Sequence, residues 1–446
     1  MRTLLSKILV VAMLFAGMSI YAQKRDLSNF RPPDQRGLHM FEAPKDSVQL
    51  FDGIKVRVGG SSTLQFQGLS HENAYDNAAV GDVGIPDQDA LDQLQLIGIE
   101  SNFNLATANL DLDVQLAKGV RMHLRTYLSS RHHPEPYVKG GYFLIDDLSF
   151  ISEGFMENFM KYVTVKVGHM ENNYGDAHFR RSDNSMALYN PFVGNLIMDA
   201  FTTEVGAEVY YRNGGFIGML GVSNGKLNQS VAESDTKPSF LAKLGYDNYA
   251  QGDDLRFRLT GSVYTTSESS RTYLYAADRA GSRYYLVLES VQTRGRGGLA
   301  ATSPVSQFRS GRFDPGFSNE LTAFMFNPFV KFGGLEFFGT AEFSSGKSNN
   351  EADTRNATQL AGELIYRFGG NDDLYVGTRY NTVNAELGSG DVDINRFNLS
   401  AGYFLTKNIL AKLEYVNQNH DGAGYDGTKF QDGSFNGIMV EAVISF

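Results

Sequence analysis

The chain has no cysteine and no tryptophan among its 446 residues, and only 11 prolines. Without cysteine there is neither a disulfide framework nor a thiolate-held metal or cluster. Beyond the first 22 residues no apolar run approaches the roughly 18 residues that a membrane-spanning helix needs, which excludes a helical membrane protein. Basic residues are in the minority, 40 Lys and Arg against 50 Asp and Glu, so the chain offers no general cationic face to a nucleic acid. Catalytic strings of the GxSxG, HExxH or P-loop kind are missing. The eight histidines are scattered, and His132-His133 lacks the spaced partners of a zinc site. No catalytic set, metal or cofactor is therefore expected. A barrel hydrolase would have to recruit His169, His178 and Asp176 or Asp183, and is the weaker reading.

What is present is glycine, tyrosine and phenylalanine, at 47, 23 and 32 residues. That is too aromatic for a disordered acidic chain. Arg2 and Lys7 precede a short apolar stretch, Ile8 to Ala16, and a small residue, Ala22, stands before Gln23. Residues 1–22 thus read as a cleaved secretory signal peptide whose apolar core is too short to anchor. Cleavage removes two basic residues and leaves the mature chain more acidic still. Residues 23–50, with Pro32-Pro33 and Pro44 and no period, read as an irregular, plug-like N-terminal extension.

Residues 51–446 change character. Val56, Val58, Leu64 and Phe66 fall on one parity and Lys55, Arg57, Thr63 and Gln65 on the other, a period of two that means strand. Leu110, Leu112, Val114 and Leu116 alternate with Asp111, Asp113 and Gln115. After the tight turn Ala117-Lys118-Gly119 the alternation resumes with Val120, Met122 and Leu124 against Arg121, His123 and Arg125. It persists to the last residue, Phe446. Connections take turns in length: Arg212–Gly215, Phe332–Gly334, Phe368–Asn371 and Leu405–Asn408 are short, whereas Ser129–Val138, His169–Ala200, Thr265–Asn319, Ser344–Asn356 and Gln418–Ser434 are long and polar. The expectation is an all-β, transmembrane antiparallel barrel of about 16 strands, with short periplasmic turns and long extracellular loops. A secreted sandwich or β-helix is the soluble alternative, but a sandwich has turns of similar length at both ends. With no tryptophan, tyrosine and phenylalanine at strand ends would form the interfacial girdles: Phe201, Tyr210, Tyr211, Phe337, Phe338, Tyr366, Phe368, Tyr375, Tyr380, Tyr403 and Phe404.

Two stretches resemble a known family. Val440 to Phe446, alternating and closing on Phe, resembles the C-terminal strand read by the outer-membrane barrel assembly machinery. Val163 to Gly175, VTVKVGHMENNYG, is similar to the strand-to-loop passage of the phosphate-selective porin O and P family, commonly VGQFKxPFG. Val167-Gly168 and Gly175 match, while His169 and Asn172-Asn173-Tyr174 depart from that pattern. The leader and the aromatic, Asn-rich loops are similar to those of Bacteroidetes-type porins. The resemblance implies a 16-stranded, anion-conducting, often trimeric porin in the outer membrane of a Gram-negative bacterium. Its partners would be outer-membrane lipid, the assembly machinery and small anionic solutes.

If the apolar parity meets lipid, the other parity lines the lumen. The basic lumen candidates include Arg57, Arg121, Arg125, Lys166, Arg256, Arg258, Arg379 and Arg396, with Lys55, Lys243, Arg367 and Lys412 beside them. The acidic ones are Asp111, Asp113, Glu204 and Glu208, with Glu336, Glu342, Glu363, Glu414 and Glu441. Charge faces inward in any barrel because the lipid side costs roughly 2–4 kcal/mol for Arg or Lys at midplane. Arg180 and Arg181, in the loop after an early strand, are the constriction candidates, since paired guanidinium groups can hold an anion bidentately. The Thr265–Asn319 loop carries Arg271, Arg279, Arg283, Arg294, Arg296, Arg309 and Arg312 and reads as an electrostatic funnel for anions. The expected function is passive diffusion of small solutes and ions, with anion or phosphate preference. A gated substrate-specific channel or an adhesin is the alternative.

Overall fold

The computed structural model describes residues 27–45, 51–128, 137–182, 185–227, 230–251, 255–276, 285–295, 298–303 and 311–446. The expected signal peptide (residues 1–22), His132-His133, Asp183, Arg279, Arg283, Arg296 and Arg309 lie outside the described residues. The strands run in chain order as β1 (Lys55–Glu72), β2 (Asn102–Ala117), β3 (Val120–Leu128), β4 (Tyr137–Ile145), β5 (Val163–Glu171) and β6 (Thr203–Asn213). β7 (Phe216–Ser223), β8 (Ser239–Asp247) and β9 (Leu255–Thr266) follow. A short hairpin of β10 (Gln292–Gly295) and β11 (Gly298–Ala301) interrupts the sequence. Then come β12 (Glu320–Phe332), β13 (Leu335–Lys347), β14 (Arg355–Phe368), β15 (Leu374–Leu387), β16 (Gly390–Thr406), β17 (Ile409–Asp421) and β18 (Ser434–Ser445).

All strands except the β10–β11 hairpin form one closed barrel of sixteen, each paired with its neighbours in sequence and β12 following β9 directly. β1 and β18 close it in antiparallel register from Ser61 opposite Ser445 to Glu72 opposite Ser434. Gly60 and Phe446 exchange backbone hydrogen bonds of 3.0 Å at the seam. Closure leaves no sheet edge, so the strand amides and carbonyls find partners within the sheet, as a bilayer crossing requires.

The two parities separate as the alternation demands. Val58, Leu110, Val209, Leu220, Leu244, Phe326, Leu360, Leu399 and Leu413 are exposed on the outside, while Asp111, Asp113, Arg125, Glu208, Arg258, Arg379 and Arg396 are buried inside. This is a transmembrane β-barrel, crossing with strands; among the described residues no helix is long and apolar enough to span. Only part of the expected girdle faces outward. Tyr211, Phe337, Tyr366, Phe368, Tyr380 and Tyr403 are exposed, but Phe201, Tyr210, Phe338, Tyr375 and Phe404 are buried. Neighbours such as Tyr210 and Tyr211 point to opposite faces, so only one of each pair can meet lipid.

One rim carries the short turns, 118–119, 214–215, 333–334, 369–373 and 407–408, and both chain termini of the barrel; the other carries the long loops. The alternation is broken twice. At the turn rim, 146–162 is long and holds a short helix, Glu157–Met160, whereas at the loop rim 388–389 is a tight turn.

The interior is not an open pipe. Residues 172–202 fold into the barrel, and Phe192, Val193, Ile197 and Met198 are fully buried there. From the loop rim, Tyr275, Tyr285, Leu288 and Phe313 of the long 267–319 connection also bury inward, while Arg271 and Arg294 stay exposed. Residues 27–45 reach the lumen from the turn rim and place Phe41 against Phe329 and Phe338.

Candidate functional site

The inward loop begins where Gly175 takes a left-handed φ of +67°. A Cβ there would strike the Met325 side chain, which gives the motif glycine a steric reason. Buried backbone groups need partners, and the wall supplies them from β14 to β17. The Gln359 and Asn381 side-chain oxygens accept the Met198 and Ile197 amides at 2.8 and 2.7 Å. Glu414 accepts the Val193 amide at 2.8 Å. Arg379 donates to the Gly194 carbonyl, Arg396 to Asn195, and Lys412 to Ala187 and Phe192, at 2.7–3.0 Å. Three cations from the sequence set are therefore committed to loop carbonyls. Arg379 also pairs with Glu363, and Lys412 with Glu441, both at 2.7 Å.

Arg180 and Arg181 do not act as an anion-gripping pair. Arg181 makes a bidentate bond to Asp199, both contacts 2.8 Å, and Arg180 sits 3.2 Å from Glu363. Both are buried, and burial lowers the Arg180 pKa against the pull of Glu363 and Glu336. The reason is local: the loop brings its own carboxylate, Asp199, and the wall brings another.

On the opposite side, β1–β6, the loop stands off and leaves a cavity of about 190 Å³. Arg57, Asp111, Asp113, Arg121, His123, Arg125, Lys139, Tyr142, Lys166 and Glu171 line it from the wall. Phe30, Arg31, Phe41 and Glu42 line it from the N-terminal segment, and His178, Phe179 and Tyr189 from the loop. Asp113 accepts from Arg57 and lies 2.6 Å from His123 Nδ1; Arg125 bonds Asp111 bidentately at 2.8 Å. Arg121 pairs with Asp146, and Lys166 with Glu208 at 3.3 Å. Asp146, in the turn beyond β4, is pushed up by burial, yet Arg121 and Lys45 bring its pKa down to about 2. Arg31 has carbonyl partners, Gly37 and Phe179, and its guanidinium lies 3.6 Å over the Tyr189 ring. Burial lowers its pKa to about 10.

Of the remaining candidates, Arg256, Arg258, Glu204 and Glu208 do not line this cavity. Arg256 pairs with Asp247 at 2.8 Å at the turn rim. Arg258 is held by Glu42 and Asp176, each at 2.8 Å. Glu204 accepts from Ser223 and from Tyr264, and Glu208 from the Asn173 amide at 2.8 Å, both sealed under the loop. Asp111 and Asp113 thus face the cavity, whereas Glu204 and Glu208 do not line it. His178 spends Nδ1 on Glu171 at 2.5 Å and Nε2 on Asn173 at 3.0 Å. Glu42, Lys139 and Asp176 were invisible to the strand periodicity that ranked the others, because two of them sit in irregular segments.

No family model and no curated protein matches this chain. Solved structures resemble it in fold. The outer-membrane channel DcaP of Acinetobacter baumannii has a TM-score of 0.52 at 12% identity, over 90% of this chain and 99% of that one. In-vitro folded OmpT of Vibrio cholerae, in a trimer form, has a TM-score of 0.51 at 11% identity, over 89% and 100%. An anion-selective porin from Comamonas acidovorans has a TM-score of 0.50 at 12% identity, over 88% and 100%.

Proposed function

We propose that this barrel is a porin-like outer-membrane channel, exported through a cleaved leader, that passes small anionic solutes by diffusion with no covalent step. The observation that carries the sign of the preference is the cavity lining. Arg31, Arg57, Arg121, Arg125, Lys139, Lys166 and Arg212 face it, against the carboxylates Glu42, Asp111, Asp113 and Glu171, with Asp146 and Glu208 paired to Arg121 and Lys166 behind the lining, which leaves a small cationic excess. Charges beyond roughly 8–10 Å are screened at physiological salt, so the acidic balance of the whole chain matters less than this local excess. The inward loop and N-terminal segment support a narrow path, with low conductance and selection by size. The anion-selective porin and the trimeric OmpT among the fold neighbours agree with anion passage and with a homotrimer. Phosphate is one anion of the proposed class. Assembly through the C-terminal strand ending at Phe446 is part of the proposal, as the resemblance of Val440 to Phe446 to the strand read by the assembly machinery implies.

Planar-bilayer recording in asymmetric KCl tests the reading. The reversal potential should have the sign of chloride preference, and added phosphate should reduce the chloride current. Cation preference, or silence from heat-modifiable folded protein, would overturn it.

A further inference from the structure

The connection 146–162 differs from the other described turns of its rim. Those are brief and polar, whereas this one exposes Phe150, Ile151, Phe155, Met156, Phe159 and Tyr162, at 39–61% of their full areas. Ile151, Phe155, Phe159 and Tyr162 recur at spacings of four, four and three, and Glu153, Glu157 and Lys161 fall between them. The spacing is that of a helix, but only Glu157–Met160 is helical, with Gly154 (φ +70°) and Met156 (φ +52°) turning the chain before it, so the side chains form one exposed apolar cluster across successive turns. Consecutive turn bonds hold the segment in shape: Ile151 to Leu148, Phe155 to Ser152, Phe159 to Met156 and Tyr162 to Phe159, at 2.9–3.1 Å. Lys118, from the neighbouring turn, reaches Asp147 and Glu153 on the polar side. Met160 is buried beneath.

The apolar stripe is continuous with the lipid-facing surface. Tyr162 packs 6.0 Å from Tyr211, which is exposed at the turn-rim end of β6, and Phe216 with Tyr246 extends the same aromatic belt. We infer that 146–162 is a membrane foot, its stripe resting at the headgroup–acyl boundary of the leaflet at the turn rim, with phospholipid as its occupant. Amphipathic segments take up this position when one face is aromatic and aliphatic and the other charged. The foot fixes the depth of the barrel at β4–β5, beside the wall that lines the cavity. The inference rests on the barrel's membrane placement.

The absence of tryptophan makes the test background-free. Phe155→Trp and, on the mid-strand lipid face, Leu220→Trp are placed singly in the folded full-length protein and reconstituted in phosphatidylethanolamine–phosphatidylglycerol vesicles. Nitroxide lipids labelled near the headgroup or deep in the chain are then added. The Leu220→Trp emission should be quenched most by the deep label, and the Phe155→Trp emission should be blue-shifted and quenched most by the shallow label. Ile151→Trp serves if Phe155→Trp misfolds. A quenched Leu220→Trp beside an unquenched Phe155→Trp overturns the foot while leaving the barrel in its membrane. If emission from the latter shifts when oligomers are dissociated, a second copy covers the stripe instead. If neither reporter is quenched, the membrane placement fails and the foot with it.

Discussion

The two halves of the inner wall carry similar side chains and do different work. From β14 to β17, Gln359, Arg379, Asn381, Arg396, Lys412 and Glu414 are capped by loop backbone. From β1 to β5, Arg57, Arg121, Arg125 and Lys166 pair with carboxylates and face a cavity. An inward charge therefore has a meaning only once its opposite face is known. On the first half it replaces water for a buried peptide; on the second it sets a local potential.

Breaking the clad half should have the largest effect. Lys412→Met strips the loop carbonyls of Ala187 and Phe192 and leaves Glu441 buried without its cation, a loss of about 3–5 kcal/mol for a broken buried pair. Lower thermal stability of the folded barrel, with larger and noisier single-channel currents, is the expected outcome. Wild-type stability and current would mean the loop is held otherwise. Arg125→Ala tests the open half. Removing one nearby charge and exposing Asp111 should lower the anion-to-cation permeability ratio by about 2–10-fold, measured as a reversal potential. Arg396→Ala, whose guanidinium bonds loop carbonyls and Gln418, should leave that ratio unchanged.

Acid sharpens the contrast at the turn rim. Burial pushes the Glu42 carboxyl up, but Arg258 and Lys243 hold it well below its ordinary 4.5. A depressed carboxylate stabilises docking of residues 27–45 above the unfolded value, and that contribution is lost as the pH falls through the folded one. Protease cleavage of the 27–45 segment should therefore stay constant from pH 8 to about 5 and rise below about 4.5. Glu42→Gln should be cleaved faster already at neutral pH. The smallest effect belongs to Arg271, exposed over the Tyr273 ring at the loop rim. Arg271→Ala should trim conductance slightly at low salt and not at all at high salt.

The barrel was legible because each strand repeats one physical demand. Leu110 to Leu128 shows two strands and their turn without any tertiary information, and Ile438 to Phe446 shows one more strand. The tight turn 388–389 at the loop rim was hidden, since only Gly388-Ser389 joins Leu374–Leu387 to Gly390–Thr406, with no long polar stretch to mark a loop. The site was less legible. Parity identifies Arg379 and Arg125 alike as inward, but nothing in a period of two says that residues 190–198 will lie against one and not the other. Adjacent Arg180-Arg181 looked like a pair in sequence, yet they diverge to Glu363 and Asp199 because the loop turns between wall and interior.

The central claim is that solutes pass on the β1–β6 side and not along the clad wall. The chain contains no cysteine, so Ser185→Cys, at the cavity, and Ser400→Cys, bonded to the Pro191 carbonyl at 2.7 Å on the clad side, can be compared without background. Under a charged, water-soluble thiol reagent during bilayer recording, current through Ser185→Cys should fall promptly and current through Ser400→Cys should not change. Rapid block at Ser400→Cys with none at Ser185→Cys would contradict the account.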